Sequence, residues 1–285
     1  MSDIGIITDT VACLPDEIIK KYDICVIPFA LNINGKSYLD QVDITLDEFW
    51  KMFPSIKEYS TGAPAQGIII NKFEEMSLKY KNLVCTFVSK QLSAMYESAS
   101  QAREIFRQEH PEVNIELVDS RNCAGAQSFI VMEMAKAAHE GKSLAEVVKI
   151  GEETVPRIGY FCVMETLKYL IRSGRAPKTA YLGDWLQIKP VIGMVHNTGL
   201  VENLGKIRGK NTVIPKITEI LADYLDPQVP ARIFVHYTNS KSEGERLLEA
   251  IKNKFSCQEL YLTPFSPIMC GHTGPVLGIG FIRNK

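Results

Sequence analysis

The stretch NLVCTFVSKQLSAMYESASQAREIF, residues 82–106, begins as an apolar strand pattern and continues as an amphipathic helix pattern. Residues 83–88 form the predicted strand. Residues 93–108 form the predicted helix, whose apolar residues fall on one face: Met95, Ala99, Ala102 and Phe106. The junction between them contains no glycine but carries Ser89 and Ser93. It therefore predicts an α/β unit and raises the question of what a serine does at its tip.

Strand and helix patterns alternate over the first half of the chain. Besides the opening stretch, strands are predicted at residues 4–8, 24–33 and 113–118, and helices at residues 15–21, 45–52, 64–80, 124–139 and 144–153. Asn34-Gly35 predicts a tight turn, and Thr45 with Glu48 has the spacing of a capping box. Residues 124–139 are so apolar that we expect both sides of that helix to be covered. Regular alternation of this kind predicts a mainly parallel sheet.

The pattern changes after about residue 157. Strands are predicted at 159–163, 191–196, 200–206, 232–237, 259–262 and 276–282, and helices at 166–173, 179–186, 213–225 and 242–254. Asn197-Thr198-Gly199 indicates a hairpin, which predicts a mixed sheet. We therefore predict two α/β domains, residues 1–157 and residues 158–285.

Composition excludes several classes of protein. The net charge of the 285 residues is −1, which argues against a nucleic-acid binder because phosphate contacts require a basic excess. The seven cysteines form no C-x-x-C pair and lie mostly in apolar runs, so we expect reduced thiols in a cytoplasmic protein and no metal site. No apolar run approaches the roughly 18 residues that would span a bilayer, so no membrane anchor is expected.

Two glycine-rich segments fail as nucleotide sites. Residues 204–212, LGKIRGKNT, have one residue too few between the glycines of a phosphate-binding loop. In residues 266–281 the glycines open a strand, whereas a dinucleotide fingerprint joins a strand to a helix. No cofactor is therefore expected.

Two hydroxyl residues are predicted at helix starts, Thr61 before the helix at 64–80 and Ser93 at the tip of the opening junction. A helix start offers unpaired N–H groups, so two such starts could hold one small carboxylate or phosphate. Simple N-caps are the alternative. His272 lies in a predicted tight turn, Gly-His-Thr-Gly-Pro. Ser93, His272 and Asp119 could instead form a hydrolase triad, although no G-x-S-x-G elbow surrounds either junction serine.

Six segments occur in the order and spacing typical of one family: ITDTVACLP, TGAPAQGIIINKFEE, VSKQLSAMYESA, VDSRNCAGAQ, LKYLIRSGRAPKTAYLGDWLQIKPVIGM and GHTGPVLGIGF. Over essentially its whole length the chain resembles the DegV family. The resemblance implies two α/β domains with a long-chain fatty acid between them. It also implies the role of the lipid-binding subunit of a bacterial fatty acid kinase, in which a separate ATP-dependent kinase phosphorylates the carboxylate.

Carried over residue by residue, the resemblance assigns the ligand contacts to positions of this sequence. The implied ligand-binding residues are Thr61, Gly62, Ser93, Ala94, His272, Thr273 and, on the head-group side, Arg172. The chain departs from the family pattern at Gly62, where a serine is usual, and at Ala94-Met95, where Gly-Thr is usual. Both departures make the expected head-group site less polar.

We expect a non-catalytic lipid-binding protein, with transient membrane contact but no anchor. Lys206, Arg208 and Lys210 would share one face of an extended segment and could dock the partner kinase, a solvated basic loop being the alternative. Two other functions stay open. One is a serine esterase or thioesterase using Ser93 and His272, and the other is a non-enzymatic lipid sensor.

Overall fold

The computed structural model describes residues 3–177, 188–209 and 212–283. The described strands are β1 (Ile4–Asp9), β2 (Cys25–Ile27), β3 (Ala30–Ile33), β4 (Lys36–Leu39), β5 (Tyr59–Gly62), β6 (Asn82–Phe87), β7 (Asn114–Asp119), β8 (Ile158–Met164), β9 (Ile188–Met194), β10 (Glu202–Arg208), β11 (Ala231–Tyr237), β12 (Cys257–Pro264) and β13 (Val276–Ile282). The described α-helices are α1 (Asp16–Tyr22), α2 (Leu46–Met52), α3 (Gln66–Ser77), α4 (Met95–Glu109), α5 (Ala124–His139), α6 (Leu144–Thr154), α7 (Lys168–Arg172), α8 (Val213–Ala222), α9 (Lys241–Lys254) and α10 (Pro267–Thr273).

A four-stranded sheet in the order β2-β1-β6-β7 forms the first layer, and all of its pairings are parallel. All six residues of β1 are buried, as are the last five of β6. Strands that are covered on both faces read as continuous apolar runs, which is why these segments were recognisable in the sequence. The predicted parallel sheet is confirmed.

A six-stranded sheet in the order β10-β9-β8-β13-β11-β12 forms the second layer. The β11–β12 pair is parallel and the remaining pairs are antiparallel, so the predicted mixed sheet is also confirmed. The predicted hairpin joins β9 to β10, and Asn197 and Gly199 take the positive φ values of 57° and 77°. The helix predicted at 179–186 lies outside the described residues.

A small sheet in the order β4-β3-β5 was not anticipated as a separate unit. Asn34 and Gly35 turn β3 into β4 with φ values of 50° and 81°, as the tight-turn prediction requires. Strand β5 pairs antiparallel with the other side of β3. The helix that was predicted from residue 64 begins at Gln66, because the preceding residues complete this sheet and a short connection.

Helix α5 lies between the two large sheets, and 13 of its 16 residues are buried. Phe129 packs edge-on against Phe234 of β11 with 5.0 Å between ring centroids. At its first turn, the Gly125 N–H donates to Nε2 of His236 at 2.9 Å. Covering on both sides was the prediction for this segment, and it is confirmed.

In sequence, the last strand of the parallel sheet ends at residue 119 and the first strand of the mixed sheet begins at residue 158. The domain division at residue 157 stays a prediction.

Candidate functional site

A largely apolar cavity of about 230 Å³ lies between the parallel and mixed sheets. On the same scale a single water molecule needs about 10–15 Å³, so the space exceeds that of a structural water. Its apolar and sulfur-containing lining comes from both layers and includes Val88, Leu92, Cys123, Cys162, Met164, Ile192, Met194, Ile268 and Met269. Such a lining favours a hydrocarbon occupant.

Six of the predicted site residues line this one cavity: Thr61, Gly62, Ser93, Ala94, His272 and Thr273. They come from segments that are up to 212 positions apart in sequence, so the fold brings together what the sequence keeps separate. Thr61 Oγ1 lies 3.1 Å from His272 Nε2. Two of the local predictions were nevertheless wrong. Thr61 lies in strand β5 and not at a helix start, and His272 lies in the last turn of α10 and not in a tight turn.

Tyr59 explains why Thr61 and His272 meet. Its hydroxyl donates to the Ile268 carbonyl of α10 at 3.0 Å, and its ring stands edge-on to His272 at 5.6 Å between centroids. A Cβ at Gly271 would lie 1.9 Å from Tyr59 Cζ, so a glycine is required where the ring crosses the helix. Because side chains alternate along a strand, Thr61 lies on the same side of β5 as Tyr59.

His272 is held in its neutral form. Burial lowers its pKa to about 3, and the positive charges of Arg175 and Arg172 add to this shift. Its Nδ1 atom is buried and has no hydrogen-bond partner among the described residues. A neutral imidazole carries one proton and the Thr61 hydroxyl carries another, but their mutual contact uses one of the two. With the proton on Nε2 the imidazole donates to Thr61 Oγ1, and the hydroxyl proton of the half-buried Thr61 then remains available to a ligand.

Ser93 also lines the cavity and contributes a second donor. Arg175 connects it to His272, because Arg175 lowers the pKa of His272 and donates to the carbonyl of Leu92, the residue before Ser93. The Ser93 Oγ accepts a hydrogen bond from the Met95 N–H at 3.2 Å, which leaves the hydroxyl proton free to donate. Ala94 occupies the N-cap position of α4, one residue after Ser93. Met95 itself is completely buried in the core. The junction thus combines a hydroxyl with a helix N-terminus, as the sequence predicted for Ser93.

The remaining predicted residues lie around this polar end. Gly62 is exposed, and a Cβ there would meet no atom within 4 Å. The Thr273 hydroxyl is within 3.0 Å of both the Met269 and Gly274 carbonyls, so its proton is used within the protein. Gly62 therefore leaves space at the site, whereas the Thr273 hydroxyl is bound to backbone carbonyls and is not a free donor.

Arg172 and Arg175 play different parts. Arg172 is exposed, donates to the Gly271 carbonyl at 3.3 Å, and lies 5.5 Å from the ring centroids of both Tyr59 and Tyr169. Arg175 lines the cavity, donates to the Leu92 carbonyl at 2.9 Å, and has its pKa lowered by burial. Arg172 thus fixes α10 from outside, while Arg175 ties its own segment to the Ser93 junction.

A surface depression adjoins the polar end of the cavity. It shares Leu92, Ser93, Ala94 and Arg175 with the cavity and extends outward to Lys90, Gln91, Tyr96 and Glu97. Groups held at the polar end therefore lie next to solvent and to any macromolecule that covers this depression.

The predicted docking residues lie on another part of the surface. Lys206 and Arg208 belong to β10 at the edge of the mixed sheet, and both are exposed while Ile207 between them is buried. The two cations therefore share one face, as an extended segment requires. Lys210 lies outside the described residues.

Neither a metal site nor a membrane span emerges from the described parts of the chain. Residues 3–177, 188–209 and 212–283 contain no group of three or more His, Cys, Asp or Glu side chains arranged to hold a metal ion. No helix within those ranges is long and apolar enough to cross a bilayer.

The fold and the site define an α/β protein with an internal apolar cavity and hydrogen-bond donors at one end. The model of the DegV family, described as a family of uncharacterised proteins, matches residues 3–284. The chain therefore belongs to the DegV family.

Relatives of known sequence match over almost their full length. A DegV domain-containing protein of Caldanaerobacter subterraneus is 30% identical over 291 residues, which cover 100% of both chains. A DegV domain-containing protein of Staphylococcus aureus is 28% identical over 94% of both chains.

Solved structures show the same fold. DegV of Bacillus subtilis, described as a fatty acid binding protein, has a TM-score of 0.86 and 24% identity over 99% of both chains. A DegV family protein of Thermus thermophilus, described for its fatty acid binding, has a TM-score of 0.88 and 23% identity over 99% of both chains. A stearic acid-binding protein of Eubacterium ventriosum has a TM-score of 0.87 and 23% identity over 98% of both chains.

Proposed function

We propose that this protein binds one long-chain fatty acid in the cavity and holds its carboxylate at the polar end. The observation that carries the proposal is the Thr61–His272 contact, which leaves one proton without an acceptor at the end of an apolar cavity. The Ser93 hydroxyl supplies a further proton beside the N-terminus of α4. The names of the structural relatives, which include fatty acid binding proteins, support the same ligand class.

The acyl chain and the carboxylate contribute differently to the binding free energy. Each buried methylene contributes about 0.8 kcal/mol, so a long chain supplies roughly 10 kcal/mol before the costs of association. The head-group site then needs to orient the carboxylate more than to hold it. Neutral donors suffice for that task, and they leave an oxygen free to react.

We further propose that the protein presents this carboxylate to a separate ATP-dependent kinase, in the cytoplasm of a bacterium. The outer depression beside Ser93 and Arg175 supports presentation, because it connects the polar end to the surface. The Lys206–Arg208 face of β10, continued in sequence by Lys210, is the proposed docking surface for an acidic patch on the kinase. Transfer of the terminal phosphoryl group of ATP to a carboxylate oxygen would yield an acyl phosphate and ADP, with the catalytic groups supplied by the partner.

Extraction of the purified protein under denaturing conditions, followed by mass spectrometry, tests ligand binding. We expect a long-chain fatty acid to copurify and to exchange with added fatty acid. A protein that contains no acyl chain and takes none up would contradict the proposal. Binding of the matching fatty alcohol should be weaker, because an alcohol does not offer the charged acceptor that the donors require.

The hydrolase alternative is disfavoured by the contacts of its two residues. His272 Nε2 contacts Thr61, Ser93 Oγ accepts from the Met95 N–H, and no carboxylate among the described residues orients the histidine ring through Nδ1. Incubation with acyl esters decides this point, since turnover that is lost on Ser93→Ala would establish an esterase. Failure to form acyl phosphate with ATP and a cognate kinase, despite fatty acid binding, would instead favour a lipid sensor.

A further inference from the structure

Tyr160 adds a second polar residue to the wall of the cavity, on a different element from the carboxylate site. It lies in β8, lines the cavity, and is 4% exposed. Its neighbours on the same face of β8 are Cys162 and Met164, which also line the cavity. The phenol therefore interrupts an otherwise apolar and sulfur-containing wall.

Glycines on the adjacent strand make room for this phenol. Tyr160 pairs with Gly280 of β13, and Cys162 pairs with Gly278. A Cβ at Gly278 would lie 3.3 Å from the Tyr160 hydroxyl, so the ring leans over a position without a side chain. Phe265 packs edge-on against the ring at 6.2 Å between centroids. The hydroxyl is thus held in one place by packing.

The Tyr160 hydroxyl has no hydrogen-bond partner among the described residues. A buried hydroxyl without a partner is unfavourable and is uncommon in native proteins. Burial raises the pKa of Tyr160 well above its ordinary value, and the nearby thiol of Cys162 adds to the shift. The phenol therefore stays protonated and retains a proton to donate, for which a thiol is a weak acceptor.

We propose that Tyr160 is a specificity-determining residue that favours acyl chains carrying a neutral hydrogen-bonding group, a hydroxyl or a keto oxygen, at one position along the chain. The inference rests on the proposed function and extends it from the head group to the tail. A neutral group fits this place better than a second carboxylate, since the cavity residues surrounding the phenol are thiols, thioethers and hydrocarbons. An anion among them would lack a counter-charge.

A series of hydroxystearic acids, each with its hydroxyl on a different carbon, provides the test. Affinity relative to stearic acid is measured for wild type, for Tyr160→Phe, and for Tyr224→Phe as a control that removes a phenolic hydroxyl outside the cavity. In wild type we expect one isomer to bind at least as tightly as stearic acid and the others about tenfold or more weakly. In Tyr160→Phe the preferred isomer should lose about tenfold relative to stearic acid, whereas Tyr224→Phe should keep the wild-type ratio.

The outcomes separate this inference from the function on which it rests. If stearic acid itself fails to bind wild type, the proposed function is wrong. If stearic acid binds but every hydroxystearic acid is weakened equally, or if Tyr160→Phe keeps the wild-type ratios, the role of Tyr160 is wrong. The wild-type series alone decides the question should the variant fail to fold. A preference for oleic acid without one for any hydroxystearic acid would also overturn the proposal.

Discussion

Two buried histidines, His236 and His272, look alike by burial but are used differently. Burial lowers the pKa of each to about 3, so both are neutral. His236 has both ring nitrogens engaged, with the Gly125 N–H donating to Nε2 at 2.9 Å and Thr263 Oγ1 lying 2.9 Å from Nδ1. His272 has one nitrogen engaged by Thr61, and its Nδ1 has no partner among the described residues.

The two histidines differ in how many of their ring nitrogens have a hydrogen-bond partner in the protein. The protein satisfies every hydrogen-bonding group of His236, which joins α5 to the mixed sheet. At His272, which lines the cavity, the Nδ1 atom has no hydrogen-bond partner among the described residues. Burial and a shifted pKa therefore do not distinguish a structural histidine from a binding one, whereas a count of its partners does.

Replacing each histidine by alanine should separate the two roles most strongly. His236→Ala leaves the Gly125 N–H unpaired and opens a void, so we expect a loss of about 3 kcal/mol in the free energy of unfolding, measured in urea. His272→Ala should cost clearly less in stability, because the group that loses its partner is the half-buried Thr61 hydroxyl and not a buried backbone N–H, but it should weaken fatty acid binding. Equal losses of stability would contradict the distinction.

The pH dependence of stability should reveal the neutral state of His272. An unfolded histidine takes up its proton near pH 6.5, whereas the folded residue stays neutral down to about pH 3. His272 thus binds one more proton in the unfolded state than in the folded state in this window, as does His236, and both make stability fall as the pH falls. Asp9 and Asp40 act in the opposite direction, because burial raises both pKa values to about 6 and the folded state then binds the extra protons between pH 6 and pH 3.8.

His272→Gln isolates the histidine contribution, since glutamine does not titrate. Between pH 6 and pH 4, the stability of wild type relative to this variant should fall by about 1.4 kcal/mol per pH unit. Urea unfolding at several pH values measures the difference. Parallel curves for the two proteins would show that His272 titrates normally in the folded state.

Removal of the Thr61 hydroxyl should weaken binding without a change of shape. Thr61→Val deletes one hydrogen bond to a charged carboxylate, and we expect affinity for a long-chain fatty acid to fall about tenfold. Thr86→Val is the control, because Thr86 also lies on a strand, outside the cavity lining, and its hydroxyl has no partner among the described residues. Isothermal titration should find the control at wild-type affinity.

The smallest effect is expected at Gly62, where the resemblance to the family implies a serine. A side chain there meets open space, so Gly62→Ser adds a hydroxyl beside Thr61 without a clash. We expect fatty acid affinity to rise about threefold through one more neutral hydrogen bond. Gly67→Ser provides the control, since Gly67 in α3 also faces open space. An unchanged affinity in Gly62→Ser would place residue 62 out of reach of the carboxylate.

The sequence predicted elements whose causes are local. Thr45 and Glu48 form the expected capping box, and the Asn34-Gly35 turn has the expected backbone. The apolar content of α5 correctly indicated burial on both sides. In each case the residues that determine the structure are neighbours along the chain, so a pattern of a few residues contains the information.

Features whose causes are distant in sequence were missed. Strand β5 is a strand because it pairs with β3, nearly thirty residues earlier, and this pairing placed Thr61 on a sheet. The sequence around Gly271 predicts a turn, whereas Gly271 lies in α10. A glycine is needed there because a Cβ would lie 1.9 Å from the Tyr59 ring. Sequence could therefore nominate Thr61, Ser93 and His272 through family resemblance, but it could not supply the contact between them or identify Tyr59 and Tyr160.

The position of α5 also determines how a ligand can enter. A Cβ at Gly280 of β13 would lie 2.6 Å from the Gly125 backbone, so helix and strand touch without intervening side chains. If the two sheets moved apart about a hinge, this contact would break and α5, of which 13 of 16 residues are buried, would be exposed to water. We therefore expect lipids to exchange through a local movement near Ser93, where the cavity adjoins the surface depression, while the contact between α5 and β13 stays closed. Slow amide hydrogen exchange throughout α5, in both empty and loaded protein, would bear this out, and fast exchange in the empty form would refute it.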